Sequence, residues 1–173
     1  MEEMLDTYDR QGRFLGVRSR SYCHSEGVSC YHKCVWIWIT DGKGRFLVQK
    51  RSMQKRFMPG LWDMPSAGHI DSGECAIDAC VRETEEELGI RFAKERFCFK
   101  GEICSESLHE FGMVYLLVSD LSEGEVKLDM QEVEQIKWLD YEGFKSLLYS
   151  ADFVPHDAEY KDFVAALLAE YSA

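Results

Sequence analysis

The stretch from Gly68 to Ile90, GHIDSGECAIDACVRETEEELGI, constrains this chain more than any other. Seven of its 23 residues are acidic, and four of those crowd together as Glu83, Glu85, Glu86 and Glu87. Ser72-Gly73 reads as a turn and Gly89 after Leu88 as a helix stop. No Gly or Pro falls between Glu74 and Leu88, so the pattern predicts a loop feeding a helix. At about 100° per residue, Ile77, Cys80, Val81, Thr84 and Leu88 share a face suited to a core. Glu83, Glu86 and Glu87 share another arc at i, i+3 and i+4, and Ala76 and Ala79 on that arc leave room for a ligand. Three carboxylates on one arc repel each other. In most helices such a set is a solvated acidic face. A hard cation removes the repulsion, because Mg²⁺ takes oxygen ligands and keeps waters and substrate phosphates in its shell.

At 173 residues the chain is long enough to bury a proper core as one domain. A net charge of −11 argues against a nucleic-acid-binding surface. No apolar run approaches the roughly 20 residues that a membrane helix needs. The seven cysteines are odd in number and form no Cys-x-x-Cys pair. The acidic N-terminus does not read as a signal peptide, so they are expected to be reduced thiols in a cytoplasm, packed as small core residues.

In chain order, residues 1 to 22 read as a hairpin, Leu5–Tyr8 and Phe14–Val17 around the turn Asp9–Gly12, the start of a lead-in that reaches residue 31. Two histidines follow, His24 and His32; either alone is more often a structural residue than a ligand. Cys34–Thr40 is a buried strand, and Asp41–Gly44 turns it into a second, Arg45–Lys50. Lys50, Arg51, Lys55 and Arg56 then form a basic patch in an acidic chain. As a bland feature this is a solvated loop. Running straight into the acidic helix, it reads better as a phosphate clamp of Arg51, Lys55 and Arg56. After the helix, Phe97–Ile103, Gly112–Val118 and Ile136–Leu139 read as strands, with Val114–Val118 central. Asp140 caps a helix over 141 to 149. Pro155 and Asp157 open a last helix with Tyr160, Phe163, Leu167 and Tyr171 on its apolar side, suited to a core or to a homodimer interface. The sum is an α/β (α+β) layer fold with helices on a mixed sheet.

The intervals of Gly68, Glu74, Arg82-Glu83, Glu86-Glu87 and Gly89-Ile90 resemble the Nudix box, with Thr84 the one soft departure. The resemblance implies an α/β/α Nudix sandwich and metal-dependent hydrolysis of a small-molecule diphosphate. It implies Mg²⁺ or Mn²⁺ on Glu83, Glu86 and Glu87, with the Gly68 carbonyl as a further ligand. Arg82 would orient the glutamates and Glu74 brace the helix start. The general base lies outside the helix or within the box, with Glu132 the first candidate and Glu110 the second. Trp62 or Phe57 would cover the organic part of the substrate or simply fill the core.

From His32 to Glu74 the chain is also similar to the type I isopentenyl-diphosphate isomerases, a Nudix branch. The shared features are His32, Trp36-Trp38, Lys43-Gly44, Arg51, Lys55, Pro59-Gly60, Trp62, Gly68-His69 and Gly73-Glu74. Two departures count against isomerisation. Ala67 stands where that branch carries its active-site cysteine, and of its glutamate pair only Glu110 can be placed. The resemblance leaves His24, His32 and His69 as the remnant of a second metal site. The alternatives to a hydrolase are an isomerase-like enzyme and a non-catalytic nucleotide-binding domain.

Overall fold

The computed structural model describes residues 2–172. The run YHKCVWIWIT forms β3 (Tyr31–Thr40), nearly all of it buried. A strand covered on both faces need not alternate polar and apolar residues, so it reads as one apolar run. Cys34, Trp36 and Trp38 face one hydrophobic cluster, and Val35, Ile37 and Ile39 face a second on the other side of the sheet.

Strand β3 organises its neighbours. β8 (Glu110–Val118) runs parallel to it from His32 to Thr40, and β7 (Phe97–Ser105) pairs antiparallel with β8. β1 (Met4–Tyr8), β6 (Ser66–His69) and β4 (Arg45–Arg51) meet β3 in succession, all antiparallel. β2 (Phe14–Ser19) pairs with β1, while β5 (Trp62–Asp63) and β9 (Val133–Asp140) pair with β4. α1 (Arg20–Cys23) is a single turn after β2. α2 (Ala76–Leu88) covers the Val35 face, and α3 (Tyr141–Leu148) and α4 (Ala158–Ala169) cover the Trp36 face. The product is an α/β/α sandwich on a mixed, nine-stranded sheet.

Local chemistry sets the helix ends. Gly89 closes α2 in the left-handed region at φ 68°, which glycine adopts without Cβ strain. Asp140 opens α3, its Oδ1 accepting from the Gly143 N–H at 2.8 Å. Asp157 precedes α4 but makes no cap bond; its carboxylate accepts from the Ser105 hydroxyl at 2.7 Å instead. Tyr160 and Leu167 of α4 lie in the core, so that helix serves the fold.

Three expectations need correction. Ala79 is fully buried and Ala76 packs against the same cluster, so neither opens space for a ligand. Cys75 and Cys98 are exposed rather than core residues. Residues 66 to 69, at the start of the acidic stretch, are a strand and not part of a loop. Among the described residues no helix is long and apolar enough to cross a membrane.

Candidate active site

Helix α2 and strand β6 build the site together. Gly68 allows them to approach: a Cβ there would lie 1.9 Å from the Glu83 carboxyl carbon, so the carboxylate fills the space of a side chain. One residue earlier, the Ala67 N–H donates to Glu87 Oε2 at 3.2 Å. Glu87 is buried, Glu83 nearly so, and the Glu86 side chain is 59% exposed. The three carboxylates therefore form a ramp from the interior to solvent.

Arg82 holds the ramp in place. Its Nε and Nη2 donate to the two oxygens of Glu74 at 3.1 and 2.9 Å, the fork-to-carboxylate match that guanidinium geometry favours. Nη2 also donates to the His69 carbonyl at 2.8 Å. Nη1 reaches Glu83 at 2.5 Å and Glu86 at 3.4 Å. Glu74 in turn accepts from the Asp71 N–H at 3.1 Å, which fixes the entry to α2.

Burial pushes Glu83 up to about 7; Arg82 opposes the shift and Glu86 adds to it. Burial and then the charge of Glu83 push Glu87 up to about 8, against the pull of its hydrogen bonds and of Lys55. Two buried carboxylates that resist ionisation, in an all-oxygen donor set, fit a hard divalent cation, which would favour their charged forms.

The basic segment divides. Lys55 forms an ion pair with Glu132, close enough to Glu87 to lower its affinity for a proton. Arg51 is turned inward: Nη1 donates to Asp63 at 3.2 Å, and Nε and Nη2 donate to the Phe57 carbonyl at 3.3 and 3.1 Å. It shapes the loop over residues 52 to 61, where Met58 sits at φ 48°. Arg56 is exposed and makes no ion pair among the described residues. Phe57 is exposed too, while Trp62 is half-buried with the Lys137 ammonium 3.9 Å from its ring centre.

Glu110 lies apart from the α2 carboxylates. It joins His32, Cys34 and His69, whose ligand-type atoms all fall within 4.8 Å of one another. Gly68 faces α2, so its neighbour His69, paired with Cys34, projects from the opposite face. His24 completes the group, its Nε2 3.2 Å from His69 Nε2. The three histidines picked out in the sequence are thus brought together. Cys34 and Glu3 were missed. Glu3 lies 2.7 Å from His69 Nδ1. Burial raises Glu3, but the hydrogen bond and charge of His69 outweigh it and hold the carboxyl at about 2. Burial, then repulsion from His32 and His69, pushes His24 down to about 4.

The glutamate-bearing helix, braced by an arginine against a mixed sheet, lies within residues 31–162, which match the NUDIX domain. The chain belongs to the Nudix hydrolase family. It is 34% identical to an uncharacterised Nudix hydrolase of Clostridium acetobutylicum over 98% of this chain and 99% of the relative. It is 33% identical to Nudix hydrolase 3 of Arabidopsis thaliana over 90% of its length, but spans only 22% of that protein. The isopentenyl-diphosphate Delta-isomerase of Serratia proteamaculans is 28% identical over 81% of this chain and 78% of the relative. The crystal structure of DR0079 from Deinococcus radiodurans shares the fold, with a TM-score of 0.72 at 20% identity over 99% of this chain and all of that one.

Proposed function

We propose that the whole chain acts as one Nudix domain that hydrolyses a diphosphate bond in an organic diphosphate, such as a nucleoside diphosphate linked to another group. Mg²⁺ or Mn²⁺ would be held by Glu83, Glu86, Glu87 and the Gly68 carbonyl. The observation that carries the reading is the pair of buried carboxylates, Glu83 and Glu87, on one arc with Glu86. A divalent ion bound there supplies charge that stabilises the phosphoryl oxygens.

The chain's own groups do the rest. Arg82 is a positioning residue that fixes Glu74, Glu83 and Glu86 at once. Lys55 and the exposed Arg56 bind the diphosphate, and Arg51 acts by ordering the loop that carries them. Glu132 is the base: it takes a proton from water as the water oxygen bonds to phosphorus and the bridging P–O bond breaks. An isomerase would have to protonate carbon, and the Ala67 methyl has no proton to give. A pure binder has no need of a buried carboxylate ramp.

The test is phosphate release, with a coupled phosphatase where needed, from a panel of diphosphate compounds with and without Mg²⁺, beside the Glu86→Gln protein. Metal-dependent release that this variant loses supports a hydrolase and begins to name the substrate. A compound that raises the melting temperature without being cleaved would move the chain to the binding class.

A further inference from the structure

We propose that Asp63 and His156 are positioning residues for the diphosphate clamp. Acting through Arg51, they hold the loop over residues 52–61 in the form that presents Lys55 and Arg56. The inference rests on the reading of Lys55 and Arg56 as diphosphate-binding groups, and it places a buried anchor behind them.

A chain of bonds runs from the core to the loop. Asp63 is buried, and its two oxygens divide their partners. Oδ2 accepts from Arg51 Nη1 at 3.2 Å. Oδ1 accepts from the Met64 N–H at 2.9 Å and from His156 Nε2 at 3.2 Å. Arg51 then reaches across the loop, where Nε and Nη2 donate to the Phe57 carbonyl. Its backbone closes the base of the same loop. The Arg51 N–H donates to the Leu61 carbonyl at 2.9 Å, and the Gly60 N–H donates to the Arg51 carbonyl at 3.1 Å. Lys55 and Arg56 lie in sequence between the two ends that Arg51 ties together.

Charge explains why Arg51 stays inward. Burial raises Asp63, but the hydrogen bond and charge of His156, then the charge of Arg51, outweigh it and hold the carboxyl below its ordinary value. The group is therefore a carboxylate, which only accepts, so His156 Nε2 carries the proton between them. A diphosphate on Lys55 and Arg56 would attract Arg51 as well. A buried anion keeps the guanidinium within the loop.

His156 is the informative member. Its ring centre lies 4.2 Å from that of Tyr160 and 5.8 Å from that of Trp36, an aromatic slot that a phenylalanine could fill. The imidazole instead strands Nδ1, which is buried without a hydrogen-bond partner among the described residues. An unpaired buried polar atom costs stability. What the imidazole offers over a phenyl ring is its bond to Asp63. The segment that carries it is fastened to β5: the Trp62 N–H donates to the Asp152 carbonyl at 2.8 Å, and the Val154 N–H to the Trp62 carbonyl at 2.9 Å. The stretch between α3 and α4 thus buttresses the clamp from behind.

The test takes two readings from the chain. One is the rate of tryptic cleavage after Lys55 and Arg56 in the native protein. The other is the affinity for inorganic pyrophosphate with Mg²⁺, by calorimetry. His156→Phe keeps the aromatic slot and removes the donor. It should be cut in the loop about tenfold faster and bind pyrophosphate about 10- to 100-fold more weakly, with its circular dichroism unchanged. His156→Gln, whose amide N–H can reach Asp63, should recover both readings toward wild type, a rescue that packing alone would not give. If His156→Phe does not fold, the isosteric Asp63→Asn takes its place, with the same two losses expected. A His156→Phe or Asp63→Asn protein with wild-type loop resistance or wild-type pyrophosphate affinity would overturn the inference, as would His156→Gln behaving like His156→Phe. A Lys55→Ala/Arg56→Ala protein that binds pyrophosphate as tightly as wild type would overturn the clamp reading itself, and the inference with it.

Discussion

The two ligand clusters of this protein sit back to back across β6 and are built in opposite ways. Glu83, Glu86 and Glu87 come from a single helix, and their closeness follows from helical spacing alone. His24, His32, Cys34, His69 and Glu110 come from four separate segments and meet only because β6 and β8 flank β3 in one register. Their chemistry differs as well: oxygens graded from buried to exposed on one side, imidazoles and a buried thiol on the other. A local site is written in its spacing, whereas a site assembled by topology is written in strand order.

The sharpest way to break this comparison is to remove one carboxylate from α2. Glu86→Gln is expected to lower turnover by at least about 100-fold, with the fold intact by circular dichroism. Equal loss from a Cys34→Ser protein would show that the two clusters are one catalytic unit. Arg82→Lys comes next. A lysine places one ammonium where the guanidinium spans Glu74, Glu83 and the His69 carbonyl. Steady-state kinetics should show about a 10- to 100-fold loss, the range for groups that orient metal ligands. A negligible loss would mean that Arg82 does not organise the ramp.

Two glycines offer a finer contrast. At Gly68 an added methyl would meet the end of the Glu83 side chain, which can swing away. At Gly112 it would meet the Trp36 ring at 2.2 Å, inside a closed core. Gly68→Ala should therefore cost activity and metal affinity with little loss of stability. Gly112→Ala should cost about 1–3 kcal/mol of stability by overpacking, read as a lower denaturation midpoint. The reverse pattern would place the rigid neighbour on the wrong face.

The same contrast explains what could be read in advance. The i, i+3, i+4 glutamates announced the acidic arc of α2, and Gly89 its end. The apolar run of β3 announced a central strand. β6 did not show, because SAGH has no β-branched residue and its partner is about 30 residues away. The inward turn of Arg51 was hidden for a related reason: its partner Asp63 lies on β5, a two-residue strand with no pattern of its own. Ala79 looked like ligand space because a helical wheel gives angles and not what covers them. Cys34 carried one usable signal, its i, i+2 spacing from His32, which puts both side chains on one face of a strand.

The smallest expected effect is also the most diagnostic, because the two clusters respond to pH with opposite sign. In the metal-free protein, Glu83 and Glu87 keep their protons to about 7 and about 8, above the ordinary 4.5. The folded state then binds more protons than the unfolded one. Their contribution to stability is full below about pH 4.5 and is lost as pH rises through those folded values. His24, held near 4 against an ordinary 6.5, does the reverse: its contribution is full above about pH 6.5 and is lost as pH falls toward 4. Below about pH 6.5 the two slopes oppose each other; above it the glutamate slope is the one of the two that remains. Between about pH 6.5 and 8.5 the melting temperature of metal-free protein should fall, on the order of 5 °C. Saturating Mg²⁺ should abolish that slope by fixing the carboxylates in their charged forms. A flat profile without metal would remove the argument that the α2 carboxylates await a cation.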